Sequence, residues 1–247
     1  MNETPIRRRV SVGHLAEFVH RGGDIGPRGA PAVSALEGLR RQQRAQRGAG
    51  ARHRSEVWLA GTWSEGALTL EIAGRADGVS EDETRLCIEE MKTYRGDPSA
   101  LRRREGAAHE AQLRLYGALW AASRQPQDGR RLELELVYLD ADSEHCERRR
   151  LEADEATLAA FLDDTCRAYA AWLQAELRRL ACRDALLAEL AFPAGSFRPG
   201  QRTLARRVWR TLSEGGALFA EAPTGIGKTL GVLYAALRRL PGLGAER

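Results

Sequence analysis

The 247-residue chain is 29% charged and 43% hydrophobic, with a formal net charge of +4. That is enough apolar material for one good core plus a smaller piece, and no apolar run approaches the roughly 18–20 residues needed to span a bilayer. The opening MNETPIRRRV lacks the apolar segment of a secretory leader, so a cytoplasmic protein is the expectation.

Along the chain, VGHLAEFVHR (12–21) reads as a short amphipathic helix and GGDIGPRGAP (22–31) as a loop. A helix is expected over 32–46, carrying Glu37. Three strands follow, at about 56–63, 67–76 and 85–93, with SEG and DGVSEDE as the turns between them. A helix is expected over 105–122, and RLELELVYLD (131–140) alternates like a half-buried strand. In the long helix expected over 154–190, Leu158, Leu162, Cys166, Tyr169, Leu173, Leu177 and Leu180 form one apolar stripe. AFPAGSFRPG (191–200) marks a boundary. A helix (201–213), a short strand (217–220), a glycine-containing loop and a last helix (228–240) complete the reading. The expected organisation is a first domain over 1–150, a helical connector over 151–195 and a last segment over 196–247.

Charge and cysteine usage add two constraints. Residues 1–54 hold eleven Arg against Glu3, Glu17, Asp24 and Glu37, an excess that suits a polyanion but equally fits a solvated face. Cys87, Cys146, Cys166 and Cys182 show no CxxC and no metal-like spacing, so buried thiols are expected rather than an iron–sulfur site. Of the 38 basic residues, 36 are Arg and two are Lys. Where either cation serves, this composition uses Arg; Lys92 and Lys228 therefore mark places that need a compact ammonium.

Lys92 stands in IEEMKT. Asp77, in GRADGV, is placed just after a strand; Glu90 and Lys92, two apart in a strand, share a face. Hairpin pairing can bring Asp77 beside them. Two carboxylates at a sheet edge make a hard-oxygen site for Mg²⁺ or Mn²⁺. A lysine beside such a cation can hold the attacking water and favour hydroxide, which a guanidinium cannot do. Glu89 is also available, but Glu90 shares the face of Lys92. His109, Gln112 and Tyr116 share one face of the 105–122 helix and offer hydrogen bonds to a phosphate or base.

The order of these elements, a helix carboxylate, D, E-x-K and Q-x-x-x-Y on helix–strand–strand–strand–helix–strand, resembles the PD-(D/E)XK nuclease superfamily and its RecB-like branch over about residues 12–140. The resemblance implies an α/β fold of restriction-endonuclease type, a mixed sheet flanked by helices. It implies Asp77 and Glu90 as metal ligands with the Met91 carbonyl, Lys92 as the catalytic lysine, and Gln112 and Tyr116 as a late motif that positions the strand. Glu37 falls where this branch carries an early His or Glu near the metal. The implied reaction is hydrolysis of DNA, single-stranded or branched.

Lys228 stands in APTGIGKT, which fits a phosphate-binding loop with Ala222 in place of the first glycine. Gly225 and Gly227 let backbone N–H groups turn on the phosphates of ATP, with Thr224 in the loop, Lys228 reaching the β- and γ-phosphates and Thr229 ligating Mg²⁺. Together with FRPGQ upstream, the loop resembles the start of a superfamily 2 helicase of the XPD/DinG type, over residues 196–247 only. There Gln201 would contact adenine. The chain runs only 18 residues past Thr229, so the expectation is a nuclease joined to a partial motor, with the missing helicase domains in a longer protein. Nucleotide binding should then be weak. The rival reading is a nuclease fold kept only to grip DNA beside an ATP-dependent motor; intact Asp77, Glu90 and Lys92 argue against it.

Overall fold

The computed structural model describes residues 5–22, 33–47, 52–123, 129–152 and 154–241, and all structural statements concern these. Most of the loop expected over 22–31 lies outside them. The chain divides into two compact units, Met1–Ala171 and Trp172–Arg247.

The first unit is built from β1 (Ile6–Ser11), α1 (Val12–His20), α2 (Ala35–Arg47), β2 (His53–Glu65), β3 (Leu68–Glu81), β4 (Arg85–Tyr94), α3 (Pro98–Ser123), β5 (Arg131–Asp140) and β6 (Cys146–Leu151). It also contains the first half of α4 (Glu155–Ala188). Local chemistry sets the joints. The Ser11 hydroxyl caps α1 by accepting from the His14 amide at 3.1 Å. Gly66, at φ 56°, turns β2 into β3. An Asp82 oxygen accepts from the Thr84 and Arg85 amides, at 2.9 and 2.8 Å, and turns β3 into β4.

The six strands form one mixed sheet, in the order β1-β3-β4-β5-β6, with β2 on β3. β2 is antiparallel to β3 along nearly its whole length. β1 runs parallel to residues 68–73 of β3, whereas β4 pairs antiparallel only with residues 78–81. Residues 74–77 of β3 belong to neither ladder, and this interruption places the candidate site. β5 is parallel to β4, and Leu132, Leu134, Leu136, Val137, Tyr138 and Leu139 are buried along it, as expected for a strand covered on both faces. α3 lies close to β2 and β3. A Cβ on Gly61 would come within 2.7 Å of Leu119, and one on Gly74 within 2.8 Å of the Tyr116 hydroxyl. The α4 stripe is buried at Leu158, Cys166, Tyr169 and Leu173.

The mixed α/β class is as expected, with particular corrections. β1 and β6 are strands beyond those expected. β3 continues to Glu81, so Asp77 lies inside a strand and not after one. Cys87 and Cys166 are buried, and burial pushes both thiols up to about 12, but Cys146 and Cys182 are exposed. No described helix is long and apolar enough to cross a membrane.

The second unit contains α5 (Gln201–Glu214) and α6 (Lys228–Arg239), which pack on each other, and a small aromatic cluster in which Phe192 stacks on Phe197 with Tyr234 edge-on to both. The strand expected over 217–220 does not form. Its apolar run has no ladder partner among the described residues, and Phe219 is 94% exposed.

Candidate active site at the strand split

β3 and β4 separate after the Gly78–Glu89 pair, and Asp77 and Glu90 are the first residues beyond it. The opening is a cleft of about 510 Å³ whose walls include Ser34, Gln42, Asp77, Glu90, Lys92 and Thr93. An Asp77 carboxylate oxygen accepts from the Met91 amide at 2.6 Å and so bridges the split. Glu90 is only 2% exposed and sends Oε1 to the Lys92 ammonium at 2.7 Å. The same ammonium donates to Gln112 Oε1 at 2.9 Å. Tyr116 donates its hydroxyl to the Arg75 carbonyl at 2.9 Å, satisfying a backbone group in the stretch of β3 that no β1 or β4 ladder reaches. The geometry thus gathers Asp77, Glu90, Lys92, Gln112 and Tyr116 at one place.

The electrostatics are those of carboxylates buried near one cation. Burial raises the Asp77 pKa, opposed by the Met91 amide and Lys92. Burial pushes Glu90 up to about 7, with Lys92 pulling down and the Asp77 charge adding to the rise. Burial works against the Lys92 ammonium, yet the Glu90 and Asp77 charges outweigh it and hold its pKa above the ordinary value. Lys92 is therefore a cation and a donor, not a free base.

Glu90 Oε2 and Thr93 Oγ1 are the buried side-chain oxygens left without a partner among the described residues, and both residues line this cleft. An unpaired buried carboxylate oxygen costs free energy unless something compensates it. With Asp77 beside it, the donor set is all oxygen and anionic, which fits a hard divalent cation.

Several expected residues lie elsewhere or behave differently. Glu37 accepts from the Ser34 amide and hydroxyl, at 2.9 and 2.6 Å, while the Ser34 hydroxyl accepts from the Glu37 amide at 3.3 Å. That is a capping box at the start of α2. Glu37 also pairs with Arg95 at 3.1 Å, and the Ser34 contacts first, then Arg95, hold its carboxyl down at about 2. In this arrangement the Glu37 carboxylate caps the helix start and is not among the residues that line the cleft with Asp77 and Glu90. α2 reaches the site through Gln42 and Gln46, which donate to the Met91 and Asp77 carbonyls at 2.9 Å each. The Met91 carbonyl is thus hydrogen-bonded already. Sequence reasoning missed these two glutamines, although their four-residue spacing on a helix was visible. Glu89 faces away from the cleft, held by His53 at 3.1 Å and Arg148 at 2.9 Å. Arg148 also reaches Glu135 at 2.5 Å; with Cys87 these carboxylates form a compact group that the one guanidinium bridges. His109 is buried against Tyr138, and burial lowers its pKa to about 4. Part of the N-terminal arginine excess is paired: Arg9 with Glu71, Arg54 with Glu81, and Arg41 with three carbonyls of the 140–145 turn.

In the second unit, Gly225 and Gly227 take left-handed φ values of 84° and 80°, and α6 starts at Lys228. Lys228 donates to the Ala222 and Pro223 carbonyls at 3.0 and 2.9 Å. Gln201 is 2% exposed; its Nε2 donates to the Gly227 carbonyl at 2.8 Å and its Oε1 accepts from the Arg198 amide at 3.0 Å. One donor of the Gln201 amide thus braces the Gly227 carbonyl, and one acceptor holds the Arg198 turn ahead of α5. Thr224 and Thr229 flank the loop and the helix start.

Comparison with known proteins gives a match of residues 26–214 to the family described as the PD-(D/E)XK nuclease superfamily. Among solved structures, the crystal structure of SSO0001 is similar at 20% identity, covering 68% of this chain and 78% of that one with a TM-score of 0.41. No curated protein matches the sequence.

Proposed function

The chain belongs to the PD-(D/E)XK nuclease superfamily, and from that premise we propose that its first unit is a DNase that hydrolyses phosphodiester bonds with Mg²⁺ or Mn²⁺ at the strand split. The observation that carries this reading is the buried Glu90, with one oxygen on Lys92 and the other unpartnered, next to Asp77. Asp77 and Glu90 would hold the cation. When bound, it supplies positive charge against the scissile phosphate and lowers the pKa of a water beside it.

The side chains of this unit do the rest. An ammonium has three donors, and two of those on Lys92 go to Glu90 and Gln112. The third is left to orient a water for attack on phosphorus and to stabilise it as its proton leaves. Gln112 fixes the ammonium, and Tyr116 fixes the backbone of β3 through the Arg75 carbonyl. Gln42 and Gln46 tie α2 to the two strands that carry the carboxylates.

The test is cleavage of single-stranded and flapped DNA with Mg²⁺ or Mn²⁺, in the presence and absence of EDTA. Glu90→Ala and Lys92→Ala should abolish cleavage and leave DNA retention in a gel-shift assay within a few-fold of the parent. Parental cleavage by both variants would overturn the assignment.

For the second unit the proposed role is nucleotide phosphate binding at residues 222–229, as part of an ATP-dependent DNA motor in a nuclease–helicase of DNA repair. The left-handed glycines and the start of α6 at Lys228 support it.

A further inference from the structure

In the second unit, α5 buries Gln201, Leu204 and Ala205 and turns its other side to solvent. On that side Thr203, Arg206, Arg207 and Arg210 recur at helical spacing and form one stripe. Trp209 borders the stripe, three residues from Arg206 and four from Ser213, and is 43% exposed.

Two clefts meet at Trp209. One, of about 400 Å³, is lined by Thr203, Arg206, Arg207, Trp209 and Arg210. The other, of about 470 Å³, is lined by Ala188, Trp209, Ser213, Arg238, Arg239 and Pro241. Charge is unbalanced around both. Among the described residues, Arg206 and Arg207 have no carboxylate partner, and Arg210 is the one arginine of the stripe with an acid, Glu214 at 3.0 Å. Arg238 donates to the Leu187 and Ala188 carbonyls, and Arg239 Nε to the Ser213 hydroxyl at 2.9 Å. Neither of these two pairs with a carboxylate among the described residues.

An arginine stripe alone is a solvated face, and one exposed indole alone is ordinary. Their combination is more specific. An acidic peptide would use the arginines and leave the indole idle. Duplex DNA would offer phosphates, but its base faces are already stacked. A flat π face between two cationic clefts fits a chain of phosphates that carries unpaired bases. We propose that Trp209 is a stacking platform for a base of single-stranded nucleic acid, with Arg206 and Arg207 on the phosphates at one side and Arg239 at the other. This surface needs neither a metal ion nor the 222–229 loop.

The experiment is fluorescence anisotropy of a labelled oligothymidylate of about 12 nucleotides, titrated with the full chain in EDTA at several salt concentrations. Trp209→Ala should weaken binding at least about fivefold and leave the salt dependence unchanged, because it removes stacking and no charge. Trp209→Phe keeps a π face and should stay within about threefold of the parent. Arg206→Ala combined with Arg207→Ala should instead lower the slope of log K against log salt by about 1.4, at about 0.7 for each lost phosphate contact. A duplex of the same length should be bound equally by the parent and Trp209→Ala. In parallel, iodouracil-substituted single strands irradiated on the parent should cross-link to α5, which locates the base even where the first unit supplies most of the affinity. Parental affinity in Trp209→Ala, together with no cross-link in α5, would overturn the proposal. So would self-association in sedimentation that Trp209→Ala abolishes without changing DNA affinity, since the face would then belong to a second copy of the chain. With no metal ion present, every one of these outcomes is independent of whether the first unit cleaves.

Discussion

At the scale of single residues, the scarcity of lysine singles out Lys92 in the sequence, and the fold supplies the reason. A single ammonium nitrogen lies 2.7 Å from Glu90 and 2.9 Å from Gln112, with one donor to spare. A guanidinium spreads its donors over a rigid plane and cannot place three of them around one point. Lys92→Arg should therefore retain less than about a tenth of parental cleavage, roughly 1.4 kcal/mol of barrier, measured as initial rates on one DNA substrate. Recovery above that level would mean that positive charge alone suffices. His109 makes a different residue-scale prediction. Its folded pKa is lowered from 6.5 to about 4, chiefly by burial. The unfolded chain then takes up the proton first, so His109 contributes stability that is complete above about pH 6.5 and lost as pH falls toward 4. The contribution is on the order of 3 kcal/mol. Urea melts from pH 7 to 4.5 should show a stability loss in the parent that His109→Gln lacks; equal slopes would refute it. Glu56, by contrast, is invisible in the sequence: nothing in SEVWL announces a left-handed φ at a position that the β2–β3 ladder skips.

At the scale of elements, α2 forms where the sequence places it, and its first-turn acid makes a contact that the sequence reading did not weigh. Its position ahead of the strands was readable, and the acid in its first turn was assigned to the metal. Ser34 and Glu37, three apart at a helix start, equally spell a capping box, and that is what forms. Glu37→Gln keeps a side chain that can reach back to the Ser34 amide, so cleavage should stay within about threefold of the parent; loss at the level of Glu90→Ala would restore Glu37 to the site. Ser34→Ala should cost about 1 kcal/mol in denaturant melts. β1 and β6, IRRRVS and CERRRL, were missed because their arginines break the apolar alternation that identifies a strand. Pairing with β3 and β5 overrides that weak local signal. Conversely, residues 217–220 have the right composition for a strand and no neighbour to pair with. β3, β4 and β5 were legible through the apolar residues of LTLEIA, LCI and LELELVYL, although β3 runs on to Glu81 past its apolar stretch.

At the scale of the whole molecule, the candidate hydrolytic site and the proposed phosphate loop fall in different units. Asp77, Glu90, Lys92, Gln112 and Tyr116 all belong to Met1–Ala171, and the 222–229 loop belongs to Trp172–Arg247. The hydrolytic site is closed by contacts within its own unit, so a change in the loop should not reach it. Lys228 spends its ammonium on the Ala222 and Pro223 carbonyls, and an entering phosphate must displace both bonds. Each is worth on the order of 1 kcal/mol net, so nucleotide binding by this chain should be weak. Turnover needs more than the cradle, because phosphoryl transfer requires an acid to orient Mg²⁺ and water and a further positive charge on the transferred group. A fluorescent ATP analogue should therefore bind the parent with a Kd no tighter than about 10 μM, some 7 kcal/mol. It should bind Lys228→Ala at least tenfold more weakly, while both proteins cut DNA at the same rate. Gln201→Ala, which removes the brace on the Gly227 carbonyl, should also weaken analogue binding without changing cleavage. Robust ATP hydrolysis abolished by Lys228→Ala, or cleavage that falls with it, would show that the two chemistries are coupled in this chain.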